Sequence, residues 1–157
     1  MLADDVGRAL RDHDLTISVA ESCTGGLLGH MITDVPGSSD YFLGGVISYS
    51  DDAKVSILKV DEGVLRSKGA VSEEVAMHMA SGVRSVFGSK IGVGITGIAG
   101  PSGGTQSKPV GLVFIAVSSD SSSTRTRNVF DGPRESVKKQ AAGKALEMLF
   151  EHIAKMR

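Results

Sequence analysis

Short β-rich runs alternate with segments of helical period along most of this 157-residue chain, and that alternation favours an α/β fold. The clearest run is VGLVFIAVS, residues 110–118, which is apolar at nearly every position, as buried strands are. LTISVA (15–20) and KIGVGIT (90–96) are shorter runs of the same kind. TRTRNVF (124–130) follows a serine-rich turn, so we predict that it pairs antiparallel with the clearest run.

The segments between these runs have helical spacing. Leu2, Val6 and Leu10 recur every four residues and predict a first helix that ends near His13. We predict further helices over residues 25–33, 51–57 and 72–87 and from Pro133 to near the end, with one more strand over residues 45–49. No linker or shift in composition divides the chain. We therefore expect one domain, residues 1–157, with a mixed sheet of about five strands and helices on both faces.

Charge and cysteine content exclude several classes of protein. Lys and Arg total 17 against 18 Asp and Glu, and a net charge of −1 gives no general attraction to nucleic acid or an anionic membrane. The single cysteine cannot form an internal disulfide, which favours a reducing compartment. The chain shows neither a membrane-spanning apolar run nor a basic leader. We expect a cytoplasmic protein that binds neither nucleic acid nor membranes.

Two other patterns do not predict sites. GVGITG, residues 92–97, matches G-x-G-x-x-G, but its glycines fall inside a predicted strand and not at the start of a helix. The four histidines lack the spacing of metal ligands, so we predict surface or helix-flank positions for them and no metal site.

Reactive and flexible residues concentrate where two strands should end. ESCTGG, residues 21–26, follows the first strand, and TGIAGPSGG, residues 96–104, includes the end of another. Ligands of α/β sheets bind beyond the carboxyl ends of the strands. The binding residues predicted here are Thr24, Gly25, Gly26, Gly100, Gly103 and Gly104, because glycines expose backbone N–H groups and permit close approach. Each loop alone is also compatible with a plain tight turn.

The segment GGVISYSDDAK, residues 44–54, adds a lysine beside serines. A solvated Lys54 would be an ordinary surface cation. A partly buried Lys54 beside a serine would have a lowered pKa and could act as a base.

These motifs together resemble a known family. AESCTGG, PGSS, YS, AK, GAVS, TGIAGP and KPVG occur in this order, and the chain is similar to the C-terminal domain of competence/damage-inducible protein CinA from roughly Leu2 to Ile153. The resemblance implies a three-layer α/β/α sandwich whose mixed sheet has one antiparallel strand. Members of the family include nicotinamide-nucleotide amidohydrolases, and a homo-oligomer is expected.

The resemblance also implies a reaction and a set of residues. The reaction is hydrolysis of nicotinamide mononucleotide (NMN) to nicotinate mononucleotide and ammonia, a step of pyridine nucleotide salvage, by a serine–lysine mechanism without metal or cofactor. The positions that match the family's functional residues are Ser22, Ser39, Tyr49, Lys54, Thr96 and Arg134.

Amide hydrolysis needs a nucleophile, a base and donors for the oxyanion, and these residues can supply them. We assign Ser22 as nucleophile and Lys54 as base, with Ser39 as a rival nucleophile or a donor. Tyr49 would relay protons or hold Lys54, Thr96 would orient either serine, and Arg134 would bind the nucleotide phosphate.

Three alternatives stay open at the level of sequence. Cys23 lies beside Ser22 and is the competing nucleophile. The domain could also be a non-catalytic nucleotide-binding or interaction module linked to competence or DNA damage. A third reading is an amidase with another substrate, since a fold does not determine a substrate.

Overall fold

A computed structural model of the chain, described here for residues 1–156, contains one five-stranded mixed sheet. The strands are β1 (Ile17–Glu21), β2 (Phe42–Ile47), β3 (Ile91–Gly97), β4 (Leu112–Ser118) and β5 (Ser123–Val129). Their order is β2-β1-β3-β4-β5, and β4 runs opposite to the other four. The predicted mixed sheet with one antiparallel strand is confirmed.

Helices cover both faces of this sheet. They are α1 (Leu2–Asp12), α2 (Leu27–Thr33), α3 (Asp51–Ser56), α4 (Glu62–Lys68), α5 (Glu73–Phe87) and α6 (Arg134–Lys155), with a 3-10 turn at Ser38–Asp40. Helices α1, α2 and α6 pack together on one face, while α5 lies on the other and α4 packs against α5. The three-layer α/β/α sandwich is therefore confirmed.

Three local elements differ from the prediction. Helix α2 begins at Leu27, two residues later than predicted, because Gly25 and Gly26 have φ values of 63° and 104°, which are incompatible with a right-handed helix. Strand β2 begins three residues earlier, where pairing with β1 holds it in place. The short helix α4 was not predicted, and it contains no fully buried residue that would give a periodic signal.

The glycines of GVGITG lie inside strand β3, as predicted, and two of them allow close packing. A Cβ on Gly92 would collide with the carbonyl oxygen of Ala80, and a Cβ on Gly94 with that of Ala76. Both carbonyls belong to α5, so these glycines let α5 lie directly against β3.

His152 differs from the prediction of a surface or helix-flank position for each of the four histidines. It is 3% exposed on the inner side of α6, between the hydroxyls of Ser119 and Thr124. Its spacing with Leu149 and Ile153 placed it on the buried stripe of α6, and the hydroxyls supplied by β4 and β5 satisfy its ring nitrogens.

No helix within residues 1–156 is long and apolar enough to cross a membrane. Strands β1, β2 and β3 are parallel, so their carboxyl ends meet at one edge of the sheet. Both glycine-containing loops lie at this edge, as the sequence predicted.

Candidate active site

The bend after β1 is shaped by Glu21, the last residue of that strand. Its buried carboxylate accepts hydrogen bonds from the backbone N–H groups of Leu28 (2.9 Å) and Gly29 (3.0 Å) at the start of α2. The negative charge also complements the positive end of the helix. Glu21 is thus a structural acceptor, and it ties the segment carrying Ser22 to α2.

Lys54 reaches this bend from α3. The helix starts after Ser50, whose Oγ accepts a hydrogen bond from the backbone N–H of Ala53 (3.1 Å). Although a lysine is rarely buried, Lys54 is only 1% exposed. Its Nζ lies 3.0 Å from Ser22 Oγ, 2.8 Å from the carbonyl oxygen of Ser48 and 3.3 Å from that of Tyr49.

Burial lowers the pKa of Lys54 below the ordinary value for a lysine, while the charges of Asp51 and Cys23 act in the opposite direction. Within residues 1–156 no carboxylate lies in salt-bridge range of its ammonium group. The three contacts match the three N–H donors of an ammonium group. After the loss of one proton, the amine can still donate to the two carbonyl oxygens and turn its lone pair toward the hydroxyl of Ser22.

The Cys23 thiol, next to Ser22 in sequence, has a pKa shifted in the opposite direction from that of Lys54. The side chain packs in the main core at 7% exposure, and burial, as the largest effect, raises the pKa of its thiol to about 11. A thiol needs its thiolate form to act as a nucleophile, so this environment favours Ser22 over Cys23.

Ser22 and Lys54 open on a cleft of roughly 330 Å³ at the carboxyl edge of the sheet. Tyr49 and the loop of residues 97–103 line it, together with Arg134. Clefts of this size accommodate small organic ligands. No group of three or more His, Cys, Asp and Glu side chains suited to a metal ion occurs in the part of the chain that the structure describes.

Two predicted residues hold the loops of this cleft together. Thr96 Oγ1 donates a hydrogen bond to the carbonyl oxygen of Ala70 (2.9 Å), which fixes the segment before α5. Arg134 donates to the carbonyl oxygen of Gly100 (2.7 Å) and to the hydroxyl of Tyr49 (3.3 Å). Thr96 therefore contacts neither serine directly, and Arg134 joins two walls of the cleft.

The structure does not bring every predicted residue to the cleft. Ser39 lies exposed on the 3-10 turn before β2, at the opposite end of the sheet from Ser22, because β1 and β2 are parallel. Within one chain it is not positioned as a nucleophile for this cleft.

The predicted binding residues divide in the same way. Gly100 and Gly103 line the cleft, whereas Thr24, Gly25, Gly26 and Gly104 do not. Thr24 is buried, and the two glycines after it form the turn into α2. Gly104 packs against the backbone of Val110, where a Cβ would come within 2.7 Å of the amide nitrogen.

Sequence reasoning missed several contributors to the cleft. Ala70, Val71 and Ser102 line it, and the Ser48 carbonyl oxygen contacts Lys54. A backbone carbonyl carries no signal in side-chain identity. Ala70 and Val71 lie in the GAVS motif, which was noted for its resemblance but assigned no role.

These features define an α/β/α sandwich domain with a buried serine–lysine pair at the carboxyl ends of its parallel strands. The chain belongs to the CinA C-terminal domain family, whose sequence model matches residues 1–153. It is 52% identical over 147 residues to a putative competence-damage inducible protein of Moorella thermoacetica, covering 94% of this chain and 36% of that protein. A CinA-like protein of Salinibacter ruber is 51% identical over 142 residues, or 90% of this chain and 34% of that protein. The chain thus spans about a third of the length of these relatives.

Solved structures share the whole fold. The competence damage-inducible protein A of Klebsiella pneumoniae superposes with a TM-score of 0.96 at 33% identity, covering 99% of this chain and 97% of that one. A competence/damage inducible protein of Agrobacterium tumefaciens gives a TM-score of 0.94 at 35% identity, with 98% and 94% coverage.

Proposed function

We propose that this domain is an amidohydrolase that converts NMN to nicotinate mononucleotide and ammonia. The observation that carries the proposal is the buried contact of 3.0 Å between Lys54 Nζ and Ser22 Oγ, at the mouth of a cleft. A buried lysine without a carboxylate partner is costly to the fold, and such perturbed groups in clefts are typical of active sites.

In the first half-reaction Ser22 Oγ attacks the carboxamide carbon while neutral Lys54 accepts the hydroxyl proton. The tetrahedral intermediate then collapses, the C–N bond breaks, and the Lys54 ammonium gives its proton to the departing ammonia. The product of this step is an ester between Ser22 and the nicotinoyl group. Lys54 is again neutral at the end, so it is ready to act a second time.

In the second half-reaction a water molecule attacks the ester carbonyl and Lys54 takes its proton. The C–O bond to Ser22 breaks, the serine recovers a proton from Lys54, and nicotinate mononucleotide leaves. The oxyanion of both intermediates needs backbone donors. Within residues 1–156, the N–H groups of Ala99 and Gly100 donate to no protein acceptor, and both residues line the cleft.

The assignment of NMN, as opposed to another amide, rests on the family resemblance and on charge. Arg134 lines the cleft and its hydrogen bonds go to neutral oxygens, so its charge is available to a phosphate.

The test is incubation of the purified protein with NMN, with and without EDTA, followed by assay of ammonia and nicotinate mononucleotide. We expect both products in equal amounts, at a rate that EDTA does not change, because the scheme uses no cation. A panel of simple amides and nicotinamide riboside checks the substrate. Binding of NMN without turnover would replace this proposal with a binding module, and loss of turnover on chelation would overturn the serine–lysine scheme.

A further inference from the structure

A second cleft, of roughly 380 Å³, shares a wall with the catalytic cleft. It is lined by Leu27 and by Arg134, Glu135, Lys138 and Lys139 from the first two turns of α6. Arg134 lines both clefts. The Arg134 side chain is therefore within reach of ligands in either cleft.

The charges of this second cleft are unbalanced. Lys139 pairs with Glu135 at 3.2 Å, which cancels one charge of each sign. Among residues 1–156, no carboxylate lies in salt-bridge range of Arg134 or Lys138. The cleft therefore keeps two positive charges without a protein counter-ion.

Lys138 is directed toward the catalytic bend. It lies four residues after Arg134, so both side chains project from the same face of α6. Its Nζ is 3.7 Å from the position that a Cβ on Gly25 would occupy. Its charge also lowers the pKa of the Cys23 thiol, against the larger effect of burial. A half-buried ammonium group thus faces the segment that carries Ser22.

We propose that Lys138 is a second phosphate-binding residue, which with Arg134 recognises the phosphate monoester of the nucleotide substrate. The inference rests on the proposed function for the identity of the substrate. A phosphate monoester is a dianion for much of its population at neutral pH, so two cations match its charge. The planar Arg134 guanidinium offers paired donors and the Lys138 ammonium a point charge, and both geometries suit phosphate oxygens.

The kinetic test compares Lys138→Ala with Lys139→Ala, a neighbouring lysine whose charge is already paired. We expect Lys138→Ala to raise KM for NMN about fivefold or more, with kcat within about twofold, because the lost contact is remote from the reacting atoms. Lys138→Arg should keep KM within about twofold of the wild type. Neither Lys138→Ala nor Lys138→Arg should alter kcat/KM for nicotinamide riboside, which lacks the phosphate.

Equal KM effects from Lys138→Ala and Lys139→Ala would overturn the inference, as would an equal effect of Lys138→Ala on the riboside. The Lys138 side chain makes no hydrogen bond or salt bridge to protein within the described residues, so we expect Lys138→Ala to keep the wild-type circular dichroism spectrum and Tm.

A binding measurement separates this inference from the proposed reaction. Ribose 5-phosphate is titrated calorimetrically into the wild type, Lys138→Ala and Lys139→Ala. We expect Kd to rise about fivefold in Lys138→Ala alone, and the difference to shrink at high salt. If the wild type fails to hydrolyse NMN but this difference holds, the reaction is wrong and the phosphate site stands. No binding by the wild type, or equal binding by Lys138→Ala, overturns the phosphate site.

Discussion

Two buried pairs of a serine hydroxyl and a nitrogen base lie in different parts of this domain. In one, Ser22 Oγ is 3.0 Å from Lys54 Nζ, and in the other Ser119 Oγ is 2.9 Å from His152 Nε2. Burial lowers the pKa of both bases. The second pair has the residue types of many hydrolases, yet we assign catalysis to the first.

The hydrogen-bond partners of the two serines explain the choice. Ser119 can donate its proton to the carbonyl oxygen of Ser122 (3.2 Å), and in that arrangement its oxygen accepts from His152 Nε2. His152 Nδ1 then accepts from the hydroxyl of Thr124 (3.2 Å). In this tautomer the imidazole has no lone pair facing Ser119. Lys54 differs, because after the loss of one proton its amine can donate to the carbonyl oxygens of Ser48 and Tyr49 and still turn a lone pair toward Ser22.

Access separates the pairs as well. Ser22 and Lys54 line a cleft that also carries unpaired backbone N–H groups, while Ser119, which is as buried as Ser22, pairs with His152 between the β4–β5 hairpin and α6 and lines neither cleft described above. A short distance between a serine and a base is therefore not sufficient for catalysis. The base must also hold a lone pair toward the serine, and a substrate must reach the hydroxyl.

The largest difference in kcat should be between the variants Ser22→Ala and Ser119→Ala. We expect Ser22→Ala to reduce kcat for NMN by roughly 10³-fold or more, since it removes the nucleophile of a catalytic unit. Ser119→Ala should leave kcat within about twofold, although it weakens a buried hydrogen bond. Steady-state assays of both variants check this, and a larger loss in Ser119→Ala would exchange the roles of the two pairs.

Lys54→Arg should have the second largest effect on turnover, with a loss of roughly 10²-fold or more in kcat. Arginine keeps the positive charge but cannot give up its proton in the working pH range, so it cannot act as the base. Lys54→Ala is the matched variant and should be comparably slow, with both variants still folded by circular dichroism. Near wild-type turnover in Lys54→Arg would mean that Lys54 contributes charge and not basicity.

His152→Gln should change stability and not turnover. We expect a loss of about 1–3 kcal/mol in the free energy of unfolding at pH 8, because a buried hydroxyl loses its partner. Burial, aided by Lys155, lowers the pKa of His152 below its unfolded value. The unfolded chain therefore binds the proton more tightly, and wild-type stability should fall as pH decreases through and below the ordinary histidine range. Urea unfolding at several pH values should show this slope in the wild type and a weaker one in the variant; equal slopes would contradict it.

Cys23→Ala should have the smallest effect on turnover, within about threefold, because its thiol remains protonated at neutral pH. Thiol-directed alkylation should likewise leave the wild-type activity unchanged. Inactivation by either treatment, together with an active Ser22→Ala, would make the enzyme a thiol amidase.

The sequence predicted the layers and the edge of the sheet at which the cleft lies, because both depend on local pattern. The apolar run of β4 and the spacing of α6 are readable without tertiary information, and so is the strand-to-bend transition at Ser22. The burial of Lys54 was left open, since it depends on carbonyl oxygens of Ser48 and Tyr49 that only the folded chain brings near.

The wrong predictions for Ser39 and His152 also arise because their positions depend on tertiary structure. Ser39 was grouped with Ser22 by motif, but the parallel direction of β1 and β2 separates the two ends of the sheet. The His152 cluster joins β4, β5 and α6, and no spacing along the chain indicates those contacts. Position in a motif does not give position in space when a strand intervenes.

The pH dependence of kcat/KM for NMN tests the central claim most directly. If Lys54 is the base for Ser22, the rate should rise with pH as one group loses its proton, with a midpoint clearly below about 10.4, the value of free lysine. The residual activity of Lys54→Arg should lack that rise. A wild-type profile that is flat, or that rises only at the pH of an ordinary lysine, would contradict the serine–lysine account.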